Sequence, residues 1–411
     1  MSILSSIFIF SKYKTIIIVL IILIVSLLLQ SIFGVISIDT FKFPVNLFVF
    51  IEFFVGIIAL YLIFKRHFVV KWLSSSSAAI SSIILFSVWV VFMAIIPQIE
   101  KEKTPLLFSL NNVLHTWMFA ISSAFLIITL GFTILRRSFP FRGRNILFFI
   151  NHFGLWLTIT SGLLGAADRK ELTMQVFENQ LVWYGQDKNN NITELPFAIK
   201  LNKFVMLSYP PKIAVINKQG KPYKLNGDQL FEITKPAKIK IGSYKIDILH
   251  FYPEALINDD TIKEYIGEFG TSPAAYVNIL LSNNKTINGF VSSGSYAQQN
   301  KIIEISKDTL LCLLSPEPAY YGSNIVLYTK TNNKAELKKI SVNNPIKAEG
   351  WTIYQYSYDT KLGKDSPYSV FMIVKDPWLP MVYIGIFMMM VGSILMIFTK
   401  ANSKTIKEEF S

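Results

Sequence analysis

The chain of 411 residues contains one cysteine, Cys312, and only four histidines. A single thiol excludes a disulfide within the chain, a Cys-x-x-Cys redox pair and the Cys-x-x-Cys-His sequence that carries covalent haem. The sequence also lacks a P-loop, a His-Glu-x-x-His pair, a nucleophile elbow and a dinucleotide fingerprint. It therefore has no complete enzyme signature, and it is neither a c-type cytochrome nor a thiol–disulfide oxidoreductase.

Acidic residues are scarce as well, with 27 Asp and Glu against 40 Lys and Arg and a formal net charge of +13. Nucleic-acid-binding proteins share such a basic balance, but many of the cations here flank apolar runs, where they orient membrane proteins. We therefore expect no nucleic-acid partner. Hydrophobic residues make up 52% of the chain, which is more than the roughly 45–50% of an ordinary soluble protein.

Six apolar runs approach the length of about 20 residues that an α-helix needs to cross a bilayer. They lie at about residues 15–38, 47–64, 78–98, 115–135, 146–166 and 379–399. No Ala-x-Ala-like cleavage site follows the first run, so we expect it to stay as a membrane span rather than to be removed as a signal peptide.

Positive charge is distributed unevenly around these runs. Cation clusters share one side of the predicted membrane: Lys12 and Lys14; Lys65, Arg66 and Lys71; Arg136, Arg137, Arg142 and Arg144; Lys400, Lys404 and Lys407. The loops on the other side, Asp39–Asn46 and Gln98–Leu114, have balanced charge. The positive-inside rule then predicts cytoplasmic termini and places residues 168–375 on the extracytoplasmic (periplasmic) side of the inner membrane.

The polar segment between the fifth and sixth runs predicts a β domain, because short alternating runs recur between turn signals. The predicted strands are Phe197–Leu207, Lys212–Asn217, Ile239–Tyr252, Ala275–Leu281, Asn324–Thr329, Leu337–Val342, Trp351–Tyr358 and Ser369–Val374, with a short helix near Asp260–Glu268. We expect a membrane protein with six transmembrane α-helices and a large extracytoplasmic all-β domain inserted before the last helix. The predicted division is 1–166 (five helices), 167–377 (β domain) and 378–411 (last helix and tail).

Three segments carry a resemblance to a known family. Asn343–Asp359 reads NNPIKAEGWTIYQYSYD, and Asp376-Pro377 with a membrane span follows it. Arg136–Leu155 is a cationic loop that leads into a helix with an early histidine, and Leu195–Phe204 reads LPFAIKLNKF. Together these segments resemble the ResB/CcsB family of system II cytochrome c biogenesis proteins. The first three spans have no counterpart in the family core, and we expect them to enlarge the contact surface for a partner.

His152 and His115 are the candidate haem ligands, because a neutral imidazole is a good axial ligand for haem iron. On the residues alone, an intramembrane histidine such as His152 is more often a helix-packing or interfacial residue, and a histidine beside a tryptophan, such as His115 beside Trp117, is usually an interfacial anchor. The resemblance implies that His152 ligates the iron of a transiently bound haem b in the membrane. It implies no such role for His115, although the aromatic pair Trp117 and Phe119 is similar to the start of the corresponding family helix.

The remaining ionisable candidates have simpler interpretations. His67 follows two cations and is expected at the cytoplasmic surface, and His250 alternates with apolar residues as a structural position of a strand. Glu52 lies within the second span, where a carboxylate either pairs with a cation or extends towards the interface.

Two classes of function remain open. The resemblance implies an accessory subunit that works with a ResC/CcsA-type membrane protein in haem export and in haem attachment to apocytochrome c. The partner's tryptophan-rich W-G-x-x-W-x-W-D segment has no equivalent here, so such a chain would supply only part of a synthase site. The alternative is a non-enzymatic membrane scaffold whose extracytoplasmic β domain binds another protein.

Overall fold

The computed structural model describes residues 2–98, 110–139, 141, 144–221, 230–241, 244–258, 261–281, 285–331 and 335–409. Within the predicted cation clusters and loops, Arg142 and part of Gln98–Leu114 lie outside these residues. The chain divides into two compact units. One comprises Met1–Lys170 with Asp376–Ser411, and the other is Glu171–Lys375.

The first unit is helical. Its helices are α1 (Ser2–Phe33), α2 (Val45–Phe64), α3 (Phe68–Leu73), α4 (Ser76–Ile95), α5 (Trp117–Ser138), α6 (Arg144–Gly165) and α7 (Leu379–Glu409). In the described residues, the six helices other than α3 are long and apolar enough to cross a membrane. They coincide with the six predicted runs and indicate a multi-pass membrane protein. The short helix α3 was not predicted.

Polar capping residues set where several helices begin. The hydroxyl of Ser75 accepts a hydrogen bond from the amide of Ala78 at 3.3 Å at the start of α4. The hydroxyl of Thr116 accepts one from the amide of Phe119 at 3.2 Å at the start of α5. Such caps satisfy amide groups that have no partner within the helix.

Helix α5 is the centre of this unit, since it packs against α1, α2, α3, α4 and α6. Its residues Ile127, Phe132 and Ile134 share a buried cluster with Ile57 of α2 and Trp156 of α6. Two buried polar contacts join it to α4: Ser82–Thr129 at 2.8 Å and Trp89–Ser122 at 3.0 Å. These pairs satisfy polar groups that would otherwise be unpaired in an apolar environment.

The second unit is all-β in the part of the chain that the structure describes. Its strands are β1 (Lys170–Phe177), β2 (Leu181–Gln186), β3 (Ile192–Ser208), β4 (Lys212–Asn217), β5 (Leu230–Glu232), β6 (Ala237–Ile241), β7 (Tyr244–Asn258), β8 (Thr261–Glu264), β9 (Ser272–Leu280), β10 (Thr286–Ser292), β11 (Ile303–Ser306), β12 (Thr309–Leu313), β13 (Pro318–Thr329), β14 (Ala335–Ser341), β15 (Ile346–Ala348), β16 (Trp351–Tyr358) and β17 (Tyr368–Lys375).

These strands form three sheets. The largest has the order β14-β13-β3-β2-β1-β17-β16-β15, and all eight strands contribute to one buried cluster that includes Ile199, Trp351 and Phe371. A five-stranded sheet (β10-β9-β7-β6, with β8 on β7) packs against a four-stranded sheet (β11-β12-β4-β5) over a second cluster. Alternating inward residues thus build two cores within the β domain.

Two local predictions were wrong. The segment Thr261–Glu264, predicted as part of a short helix, is strand β8, because it pairs with Ala255–Asn258 of β7. The predicted single strand Ile239–Tyr252 is a hairpin of β6 and β7, with Ile241 paired to Tyr244. At β8 tertiary strand pairing overrides the local pattern, whereas Gly242-Ser243 between β6 and β7 is a local hairpin signal in the sequence.

The chain enters and leaves the β domain on neighbouring strands. β1 lies beside β17 in the largest sheet. The amide of Glu178, after β1, donates to the carbonyl of Pro367, before β17, at 2.9 Å. The two strands therefore run antiparallel.

Candidate functional site

His152 lies on α6, eight residues after Arg144, which is about 12 Å along the helix axis. Its imidazole is half-buried and stacks on the ring of Phe148, with a centroid distance of 3.8 Å and an interplanar angle of 23°. The Nδ1 atom lies 3.1 Å from the carbonyl oxygen of Phe148. One turn of the same helix therefore fixes both the position and the tilt of the ring.

The contact with the Phe148 carbonyl selects a tautomer. A carbonyl only accepts, so Nδ1 carries the proton and donates, and Nε2 keeps its lone pair. No contact within the described residues engages Nε2. A histidine whose second nitrogen is held by a backbone carbonyl is the usual arrangement of a metal ligand. His152 is thus chemically prepared to donate Nε2 to a metal.

A cation lies next to this pair of rings. The guanidinium carbon of Arg137, in the last turn of α5, is 5.2 Å from the centroid of the Phe148 ring. The site therefore combines an imidazole donor, an aromatic face and a permanent positive charge. This set suits a flat anionic ligand better than a small metal ion, and the described residues contain no group of three or more His, Cys, Asp or Glu placed to hold a metal.

His115 does not complete the His152 site. The indole Nε1 of Trp156 donates to the carbonyl of Ile127 at 3.1 Å, which sets the register between α6 and α5. In antiparallel helices His152 then lies level with about residue 131 of α5, and His115 is 16 residues away, or about 24 Å along the axis. Two axial ligands of one iron lie far closer together than this.

The other histidines are engaged locally. Nδ1 of His115 contacts Oδ1 of Asn112, and its carbonyl accepts from the amide of Ile36 at 2.7 Å. Nδ1 of His67 accepts from the amide of Val69 at 3.4 Å and caps α3. His250 is exposed beside a bulge in β7, so its side chain is not part of the core.

Helices α6 and α7 pack closely because small residues face each other. A Cβ on Gly154 would lie 2.6 Å from the carbonyl oxygen of Gly385, and one on Gly392 would lie 2.7 Å from the amide of Asn151. The side-chain amide of Asn151 donates to the Met389 carbonyl at 3.0 Å and to the Ser393 hydroxyl at 2.6 Å. The residue before His152 thus locks this part of α6 onto α7.

A hydrogen-bonded cluster around one carboxylate, at the other end of α6, was not predicted from the sequence. Asp168 accepts hydrogen bonds of 2.8 Å from the amide of Phe43, from the side-chain amide of Asn46 and from the indole of Trp378. Asn46 also donates to the Leu164 carbonyl at 3.1 Å. One side chain therefore joins the entry of α2, the end of α6 and the segment before α7. In the sequence, this cluster could have been inferred only from Asp168, directly after a predicted span, together with Asp376-Pro377-Trp378 before the last span.

A groove of about 280 Å³ lies along β1 and β2 of the β domain. Uncharged hydrogen-bonding side chains line most of it: Thr173, Gln175, Gln180, Tyr184 and Gln186, with Phe177 as an apolar wall. Amides and hydroxyls of this kind both donate and accept hydrogen bonds. The sequence showed these residues only as an alternating strand pattern.

The site at His152 is therefore interpreted from its own chemistry. It offers one oriented imidazole, a stacked phenylalanine and an arginine near the beginning of α6. Comparison of the chain with models of protein families and with curated protein sequences finds no match in either set.

Proposed function

We propose that this chain is a ResB/CcsB-like subunit of a system II cytochrome c biogenesis complex. In this role it assists haem export and haem attachment to apocytochrome c, together with a ResC/CcsA-type membrane protein. The observation that carries the proposal is the geometry of His152, whose Nδ1 is held by the Phe148 carbonyl while Nε2 has no partner among the described residues.

The three groups at His152 fit haem b as cargo. Nε2 would bind the iron, Phe148 would hold the imidazole in place by its carbonyl and its stacked ring, and Arg137 would attract a propionate. These contacts use one axial position of the iron. A second ligand would have to come from the partner, because His115 lies about 24 Å away along the helix axis.

The cation clusters support the sidedness of this proposal. Both termini are cytoplasmic, so His152 lies about 12 Å from the cytoplasmic start of α6, where haem arrives from its site of synthesis. The β domain is then periplasmic. Its groove along β1 and β2 would then offer amide and hydroxyl groups to a segment of apocytochrome c in the compartment where this client is matured.

This chain does not perform thioether chemistry by itself. Attachment adds the two cysteine thiols of the client across the two vinyl groups of haem, and it requires reduced thiols. Cys312 is 4% exposed, and burial raises the pKa of its thiol to about 11. A thiol of that kind is inert at neutral pH, so the reductant and the remainder of the synthase site belong to other proteins.

Co-expression with a membrane protein that carries the W-G-x-x-W-x-W-D segment tests the proposal. The purified complex is expected to show a Soret absorption band and to restore cytochrome c maturation in cells that lack the native system. An intact complex without haem would contradict the proposal. It would favour the scaffold alternative, for which the groove in the β domain is the supporting observation.

A further inference from the structure

Glu52 places a carboxylate on the outer surface of α2 and is the one charged residue of that helix. It lies seven residues after Val45, or about 10 Å along the axis. A hydrocarbon core is about 30 Å thick, so this depth is well inside it. Charged groups at such depths are rare and normally face a partner or a water-filled path.

The described part of the chain provides no partner for Glu52. Neither a hydrogen bond nor an ion pair to its carboxylate occurs there. The side of α2 that packs on α5 and α6 carries Phe50, Phe53, Ile57 and Tyr61. At 100° per residue, these four point away from Glu52. The carboxylate therefore faces outward from the helical unit rather than into its core.

The surface around Glu52 has the pattern of exposed apolar and small residues on which another transmembrane helix can pack. Phe48 and Val55 lie about one turn on either side of it and are 65% and 54% exposed. Ile63, about three turns further along the same face, is 70% exposed. Gly56 lies one turn away, and a Cβ there would meet nothing within 4 Å; Ala59, exposed, follows. Small residues on one face let a second helix approach closely, and a polar side chain beside them adds an interhelical hydrogen bond.

The charge of Glu52 identifies the occupant. Within the six spans of this chain, the only cations are Arg136 and Arg137, in the last turn of α5, so a second copy offers none at the depth of Glu52. Two copies meeting through this face would also oppose two carboxylates. The matching group therefore belongs to a different membrane protein.

We infer that the α2 face formed by Phe48, Glu52, Val55, Gly56, Ala59 and Ile63 docks a transmembrane helix of a partner protein that carries Lys or Arg at the depth of Glu52. The inference rests on the proposed function only in assigning that helix to the membrane partner of the biogenesis complex. The contact itself does not depend on haem.

Site-specific photo-crosslinking in intact cells tests this inference. Benzoylphenylalanine replaces Phe48 in the full chain, and the same probe at Ile84 of α4, a 58% exposed position, serves as the matched control. The Phe48 probe is expected to label a transmembrane segment that contains Lys or Arg, identified by mass spectrometry. The Ile84 probe is expected to label lipid.

Two substitutions then test separately the charge of Glu52 and the small size of Gly56. Glu52→Gln is expected to lower the crosslink yield at least about fivefold, the effect of losing one interhelical polar contact. Gly56→Leu is expected to lower it without changing charge. Combining Glu52→Lys with a Glu in place of the identified partner cation is expected to restore the yield. Membrane levels and thermal midpoints equal to those of the parent chain show that each variant is folded.

Several results would overturn the inference: a yield unchanged by Glu52→Gln, a crosslink between two copies of the chain, or labelling of lipid alone at Phe48. Haem content is measured in the same samples. A crosslink that depends on the partner cation, in a complex without haem, would support the docking face and contradict the haem function. Bound haem without the crosslink would support the haem function and contradict the docking face.

Discussion

The indole nitrogen of Trp378 donates a hydrogen bond of 2.8 Å to Oδ2 of Asp168, a residue 210 positions earlier. The same carboxylate accepts from the amide of Phe43 and from the side chain of Asn46. A carboxylate that accepts three hydrogen bonds is held strongly, because each bond is charge-assisted. Three helices are thereby fixed at one point at the end of the bundle from which the β domain departs in sequence.

Replacing Asp168 by Ala is expected to destabilise the helical unit by about 3 kcal/mol, since three donors lose a charged acceptor. Trp378→Phe removes one donor and keeps a ring against Phe50, where the centroids are 5.7 Å apart; it is expected to cost about 1 kcal/mol. Thermal unfolding of the purified chain in detergent measures both. Equal losses for the two variants would show that ring packing, rather than the carboxylate, matters at this point.

Gly154 and Gly162 form a matched pair on α6. Gly154→Ala forces a methyl group against the Gly385 carbonyl and is expected to destabilise the packing of α6 on α7 by about 1–3 kcal/mol. Around Gly162 nothing lies within 4 Å of a Cβ, so Gly162→Ala is expected to be neutral or to stabilise by up to about 1 kcal/mol through helix propensity. The thermal midpoints of the two variants measure both effects. An unchanged midpoint for Gly154→Ala would contradict the close approach of Gly154 to Gly385.

His152→Ala is expected to remove most of the haem that co-purifies with the complex, and with it cytochrome c maturation, while the protein stays in the membrane. Added imidazole is expected to restore part of both, because it fills the vacant axial position. The measurements are the Soret band and haem staining of the client. His115→Ala and His250→Ala are the controls and are expected to retain haem; undiminished haem in His152→Ala would leave that residue a packing role.

Acid is expected to loosen the contact between Glu254 and Lys364, which is 2.5 Å long. Burial tends to raise the pKa of Glu254, but the hydrogen bond from the Gly267 amide and the Lys364 ammonium outweigh it and hold this pKa below its ordinary value. A depressed pKa stabilises the fold above the unfolded-state pKa, and this contribution is lost as the pH falls through the folded-state value.

Hydrogen exchange of peptides covering residues 261–271 and 359–366 measures this contact. The parent chain is expected to lose protection there as the pH falls below the ordinary glutamate range, after correction for the intrinsic exchange rate. Glu254→Gln is expected to have lower protection at neutral pH and a smaller change on acidification. An identical acid response in the two proteins would exclude Glu254 as its source.

The native cysteine is expected to be silent in topology mapping, because Cys312 is buried and burial raises the pKa of its thiol to about 11. Maleimide should label it only after denaturation. Single cysteines can then be added to the natural chain: Lys188→Cys is expected to react with an impermeant maleimide from outside the cell, and Arg137→Cys is not. External labelling at Arg137→Cys would reverse the proposed orientation.

The membrane helices were predictable because hydrophobicity and length alone specify them. Strands Lys212–Asn217 and Trp351–Tyr358 were predicted with the bounds that the structure has, since turn residues frame both. The hairpin of β6 and β7 was missed although the apolar positions change from odd numbers (Ile239, Ile241) to even numbers (Tyr244, Ile246) across Gly242-Ser243 in the sequence. Strand β8 was missed because its strand character depends on pairing with β7.

The candidate sites, too, could be predicted from the sequence only in part. The imidazole of His152 could be identified from its sequence setting, but its tautomer depends on the Phe148 carbonyl and its neighbouring cation comes from α5. The cluster at Asp168 joins residues far apart in sequence, so no local pattern encodes it. Glu52 was visible as an intramembrane charge, whereas its outward direction required the packing of α2 to be known.

The pairing of β1 with β17 makes the β domain a self-contained insertion between α6 and α7. Its first and last strands are neighbours, at about the 4.8 Å spacing of paired strands, while α6 and α7 contact each other along their own glycine-lined faces. The domain can therefore be gained, lost or exchanged as one piece, with no helix forced to separate from its neighbour. A short Gly-Ser linker from Lys170 to Asp376 would convert the chain into a helical protein that keeps all seven described helices and the contact between α6 and α7.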